Sequence, residues 1–180
     1  MKISLPFPEF KTEIERAIRC SSRLLGNPYN NILIDTDGSI VSTDGFTMYA
    51  GKIPIEIPER MLFPMSVFRR LIKTIDWSFP VFWDTDTGEW ENDGYKCTVA
   101  PGDREFPENW REFVIPVPGS ANGLNFSAAS LGKIGRIIGK NGTLGESIKI
   151  VFGETYKDPV WLKFELGGTL VVMPEREDIC

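Results

Sequence analysis

The 180-residue chain contains no histidine. That absence removes histidine general bases, Ser-His-Asp triads and histidine-ligated zinc together. Cysteine is scarce: Cys20, Cys97 and Cys180 are scattered, form no metal-spaced pair, and their odd number argues against a disulfide framework. This usage predicts a reducing cytoplasm. No apolar run approaches the roughly 20 residues a membrane helix needs. The opening MKISLPFPEF is too short and too proline-broken to read as a signal peptide. Phosphate loops, dinucleotide fingerprints and the Gly-x-Ser-x-Gly elbow are missing as well. Two Asp-x-Asp pairs, Asp35/Asp37 and Asp84/Asp86, fall in hairpin turns and do not continue into a calcium-loop spacing, so the turn reading is preferred. The chain is therefore expected to be neither an enzyme nor a holder of metal or cofactor.

What is present is an ordinary globular composition, 42% apolar and 25% charged, long enough for one or two domains with a proper core. The formal charge of −5 argues against a polyanionic partner until its distribution is read. Three windows with helical periodicity, 9–25, 66–75 and 127–140, hold ten of the 20 bases and three of the 25 acids, Glu9, Glu13 and Glu15. In the last window Leu131, Ile134 and Ile138 share one face. Lys133, Arg136 and Lys140 share the opposite one at i, i+3, i+7. Arg16, Arg19 and Arg23 repeat that spacing, and Arg69, Arg70 and Lys73 form a shorter version. A single basic helix face is ordinarily solvated surface. Three sorted alike on an acidic chain point to nucleic acid.

The remaining segments read as short strands. Runs at 31–35, 39–43 and 46–53 are joined by Asp37-Gly38 and Asp44-Gly45 turns. Runs at 81–84, 89–92 and 95–100 are joined by Asp86-Thr87-Gly88 and Asp93-Gly94, and further runs lie at 147–152, 160–165 and 169–173. The proline-rich stretch 53–57 predicts an edge or crossing segment, Ser66 an N-cap, and 110–118 an extended linker. The pattern is one helix followed by three strands, three times over: 1–52, 53–112 and 113–180. An α+β chain of three helix-plus-antiparallel-sheet units follows.

Three stretches of the sequence resemble the bacterial DNA polymerase III beta subunit, the sliding clamp. Ser42-Thr43-Asp44-Gly45-Phe46-Thr47-Met48 is similar to its Thr-Asp-Gly-His-Arg-Leu turn. Glu105-Phe106-Pro107 with Trp110-Arg111 and Val114-Ile115-Pro116 is similar to its interdomain connection. Val171-Val172-Met173-Pro174 with Arg176 is similar to its C-terminal ending. The resemblance implies the DNA clamp fold, with helices lining a ring around duplex DNA and sheets outside, and a role as polymerase processivity factor. Arg16, Arg19, Arg23, Arg69, Arg70, Lys73, Lys133, Arg136 and Lys140 would then meet phosphates without reading bases. A partner-peptide pocket is implied at Thr43, Gly45, Phe46, Thr47, Met48, Pro107, Arg111, Val171, Met173, Pro174 and Arg176, for a DNA polymerase and a clamp loader. Plain sheet core is the competing reading of Val171 and Met173. Phe46 and Thr47 replace the family's usual His and Arg, and Glu175 stands where an apolar residue is common.

The family's full subunit has three domains of two units and closes as a dimer of twelve units. This sequence has room for one clamp domain, 1–112, and a half domain, 113–180. Twelve units then take four copies, a homotetrameric ring, in a compact form that would suit a phage or mobile element. Two other readings remain open. Ile134–Gly142 resembles the KH signature for single-stranded nucleic acid, although β-rich segments follow where a KH fold places another helix. A clamp-like protein that forms no ring and binds or inhibits replication proteins would keep the same pocket and sheet edges.

Overall fold

A computed structural model describes residues 1–21, 29–99, 102, 106–114, 132, 134–135, 137, 148–155, 158–165 and 167–173. In chain order the first elements are β1 (Lys2–Leu5), α1 (Glu9–Cys20), β2 (Asn31–Ile34), β3 (Ser39–Thr43) and β4 (Thr47–Lys52). Next come β5 (Met61–Pro64), α2 (Met65–Thr74), β6 (Val81–Asp84), β7 (Glu89–Asn92) and β8 (Tyr95–Thr98). A short helix α3 (Trp110–Val114) leads toward β9 (Ile148–Phe152), β10 (Val160–Phe164) and β11 (Thr169–Val172). Residues 132, 134, 135 and 137 are helical, within the third predicted window.

Both long helices form because an apolar stripe recurs at helical spacing. In α1 it is Phe10, Ile14 and Ala17; in α2 it is Met65, Phe68 and Leu71. Ser42 of β3 ties the last turn of α1 to the sheet, its hydroxyl donating to the Ala17 carbonyl at 2.8 Å. The helices pack on each other, α1 over β3 and β4 and α2 over β5. Between them lies an aromatic centre. Trp83 and Trp90 oppose each other on β6 and β7 with rings stacked 5.1 Å apart, and the rings of Phe10, Phe63 and Phe68 pack around Trp90. Such pairs add about 0.5–1.5 kcal/mol each beyond area burial.

The strands form two antiparallel sheets, ordered β1-β6-β7-β8 and β5-β2-β3-β4-β11-β10-β9. The first two runs of elements are interlocked. β1, ahead of α1, pairs with β6, which follows α2; β5, ahead of α2, pairs with β2, which follows α1. Each run thus lends its first strand to the other's sheet. The third run joins through β11, which pairs with β4 from Thr169 opposite Ala50 to Val172 opposite Thr47. β2 is buried along its whole length because both of its faces are covered. Ile32 and Ile34 face the main core, while Leu33 joins Val41, Leu62, Phe106 and Trp110 in a second cluster under the linker.

Three expectations need correction. The segment 110–118 begins as helix, not extended chain, because Trp110 is buried in the second cluster and Val114 packs against it one turn on. β1 and β5 carry no strand signal in the sequence: each is four residues long, and β5 runs straight into α2 without a turn. For the same reason α2 starts from Pro64 with no side-chain cap, and Ser66 lies inside it. The crossing stretch 53–57 alternates as its prolines require, burying Ile53, Ile55 and Ile57 over the β2–β3 turn. Gly38 in that turn, at φ +79°, lies against the Ile53 and Ile55 carbonyls, leaving no space for a Cβ.

Candidate functional site

Of the nine predicted cations, three are exposed, one is partly buried, one is buried and four lie outside the described residues. Arg69, Arg70 and Lys73 stand exposed on α2, and none of them makes an ion pair with a described residue. Arg19 and Lys11 lie partly buried on α1; Arg19 approaches Glu15 at 3.4 Å, and the Lys11 ammonium sits 5.5 Å from the centre of the Trp77 ring. Arg16 is not on the exposed stripe at all, being only 4% accessible. Its guanidinium lies 3.6 Å from Glu13, 4.5 Å from the centre of the Phe164 ring, and donates to the Gly167 carbonyl at 3.5 Å. Residues three apart on a helix lie about 60° from each other around its axis, so Arg16 falls at the margin of the stripe, on the side turned to the sheet, while Arg19 stays farther out. Arg23, Lys133, Arg136 and Lys140 lie outside the described residues. Near the last three, Ile137 is fully buried and Ile134 packs against the main core.

Arg16 belongs to a polar group beneath α1. Tyr49 of β4 donates its hydroxyl proton to Glu13 at 2.6 Å. Burial, followed by the Glu13 charge, raises the Tyr49 pKa well above its ordinary value, so the phenol stays neutral and remains a donor. The close fit requires Gly51 and Gly168, where a Cβ would run into the Glu13 carboxylate and the Tyr49 hydroxyl.

The second predicted constellation converges. A groove of about 260 Å³ is lined by Tyr29, Thr43, Gly45, Phe46, Thr47, Met48, Pro107, Phe113, Val171 and Met173. It lies where β4 meets β11. The turn at its rim is organised by Asp44, whose carboxylate accepts from the Phe46 and Thr47 amides at 3.1 and 2.8 Å and from the Thr47 hydroxyl at 2.9 Å. Gly45 takes φ +94°, and a Cβ there would stand 3.2 Å from the Tyr29 ring. The Met173 amide donates to the Phe46 carbonyl at 3.1 Å, joining the first and third runs across the groove. Phe46 is 75% exposed and Phe113 44%, two large apolar side chains held at the surface. The volume lies just below the ~300–1,000 Å³ of small-molecule clefts.

Eight of the predicted pocket residues line this groove, while Pro174 and Arg176 lie outside the described residues. Arg111 does not line it. Its guanidinium turns to the β2–β3 hairpin, 2.8 Å from Asp35 and 3.4 Å from Asp37. Asp35 also accepts from the Trp110 indole at 3.1 Å, and Trp161 of β10 donates its indole proton to the Phe113 carbonyl at 2.8 Å. The linker is thus pinned at both ends, and Phe113 becomes a wall of the groove. Burial works to raise the Asp35 pKa; the Thr36 amide, the Trp110 indole and the charges of Arg111 and Arg60 outweigh it, and the pKa is lowered. Tyr29 and Phe113 are absent from the sequence-based set. For Phe113 the one available signal is the i, i+4 spacing of Trp110 and Val114; for Tyr29 there is none.

No protein-family model matches the sequence, and no curated protein matches it. Solved structures do. DNA polymerase III subunit beta from Borrelia burgdorferi, in complex with a natural product, superposes with a TM-score of 0.77 at 14% identity, over 98% of this chain and 64% of that one. Caulobacter crescentus pol III beta gives 0.75 at 14% identity, over 97% and 66%. The DNA polymerase sliding clamp from Bacillus subtilis gives 0.66 at 12% identity, over 100% and 66%. The chain has the sliding clamp fold, and it spans just under two thirds of the length of the clamp chains it matches.

Proposed function

We propose that this protein is the subunit of a ring-shaped DNA clamp that tethers a polymerase to duplex DNA. The observation that carries the reading is the row Arg69, Arg70 and Lys73, exposed on α2 with no carboxylate partner among the described residues, on an acidic protein of clamp fold. Cations on one helix meet phosphates in any register, so they hold duplex DNA weakly and let it slide. Retention then comes from encirclement and not from affinity. Arg19 joins the set, as do Arg23, Lys133, Arg136 and Lys140; Arg16 does not. Residues 1–112 form one clamp domain and 113–180 a half domain, and four copies complete a twelve-unit ring that works in the cytoplasm. The groove between β4 and β11 takes a short apolar peptide from the polymerase or a clamp loader.

The test is retention on DNA of different topology. The protein should stay on nicked circular duplex through gel filtration and be lost when the circle is cut. Equal retention on both forms, or a preference for short single strands, overturns the reading.

A further inference from the structure

One wall of the groove belongs to no sheet. Thr43, Met48 and Val171 reach it from β3, β4 and β11, where ladder hydrogen bonds fix their backbone. The linker reaches it at Pro107 and again at Phe113. Between those points lies α3, five residues long, too short to hold its shape unaided. Its order comes from outside. The Trp161 indole fixes the Phe113 carbonyl on one side, and the β2–β3 hairpin holds Trp110 and Arg111 on the other.

Arg111 is the residue through which that hold can be lost. Its guanidinium meets Asp35 at 2.8 Å and Asp37 at 3.4 Å, and lies 4.5 Å from the centre of the Trp110 ring. The carboxylates are held in their turn. Arg60 approaches Asp35 at 3.9 Å, and Lys52 pairs with Asp37 at 3.5 Å. A guanidinium that already serves two carboxylates must release one before it can take a third. We infer that Arg111 is a positioning residue of the groove: braced on Asp35 and Asp37 it sets where Phe113 stands, and it receives no carboxylate from the bound peptide. The brace is a matter of this chain's geometry alone; its service to peptide binding deepens, and rests on, the proposed function.

Fluorescence anisotropy of the whole protein with two labelled, amidated peptides, Gly-Leu-Phe-Gly-Asn and Gly-Leu-Phe-Gly-Asp, tests this. Arg111→Met should weaken both by the same factor, about fivefold or more. Arg111→Lys, which keeps the charge and loses the two-pronged geometry, should weaken both by less. In a Phe113→Ala background Arg111→Met should cost nothing further, because the two residues act as a unit. Amide hydrogen exchange over 107–114 should quicken in Arg111→Met while 43–48 and 169–173 keep their protection, which also shows that the variant is folded. Should Arg111→Met not fold, Arg111→Lys carries the same comparisons. A loss confined to the Asp peptide overturns the inference and makes Arg111 a direct contact. Additive losses from Arg111→Met and Phe113→Ala, or unchanged exchange over 107–114, overturn it too. Wild type that binds both peptides, with folded Arg111→Met binding equally well, sinks the brace and leaves the groove reading standing. Wild type that binds neither peptide sinks the groove reading, and the exchange over 107–114 then decides the brace by itself.

Discussion

Arg16 and Glu13 lie together beneath α1, the guanidinium sandwiched toward the Phe164 ring and the carboxylate held by Tyr49. Removing the cation from a buried pair leaves a carboxylate without its counter-charge, a change that costs about 3–5 kcal/mol. Arg16→Met should therefore lower the urea midpoint by that order, whereas Arg69→Met, at an exposed site, should stay within about 0.5 kcal/mol. Asp35 predicts a pH dependence. Its pKa is lowered in the folded state, so its contribution to stability is fully present above the unfolded value near ~3.9 and is lost as pH falls through the folded one. Trp110, which donates to Asp35, is the reporter: its fluorescence should shift in wild type as pH drops below about 4 and be flat there in Asp35→Asn.

Elements differ in how far they were legible. The strand β3 and the β6–β7 hairpin follow from β-rich runs bounded by Asp-Gly and Asp-Thr-Gly turns, because turn chemistry and strand period are local signals. β1, β5 and α3 exist only through distant partners: Val81–Asp84 for β1, Asn31–Ile34 for β5, Asp35 and the second cluster for α3. For α3 the only local hint is the i, i+4 spacing of Trp110 and Val114. The groove was largely legible through the resemblance of the Thr43–Met48 turn and the Val171–Met173 strand end, which β4–β11 pairing brings together. Arg111 was misplaced because its partner lies on the hairpin turn, far away in sequence. Since Phe46 is exposed, Phe46→Ser should weaken binding of an apolar peptide roughly tenfold while leaving the melting temperature unchanged, as fluorescence anisotropy and a thermal scan would show.

For the whole molecule, charge placement outweighs net charge. A protein at −5 repels DNA at long range, so any attraction depends on the few cations gathered on its helices. Arg69→Glu, Arg70→Glu and Lys73→Glu together should abolish loading onto circular duplex with the fold intact. The milder Ala series should flatten the salt dependence of loading by roughly one unit of slope per cation. Polymerase stimulation that survives the Glu series would place the DNA contact elsewhere.

The exchange of first strands between the two leading runs sets when this protein acquires structure during synthesis. β1 leaves the ribosome early but has nothing to pair with until Val81–Asp84 has emerged, and the hairpin of β2 and β3 waits likewise for Met61–Pro64. Contacts so distant along the chain form slowly. A nascent chain halted before the β6 segment would leave Leu5 without Val81 and Phe10 without Trp90, an open edge of the core that chaperones and proteases can reach.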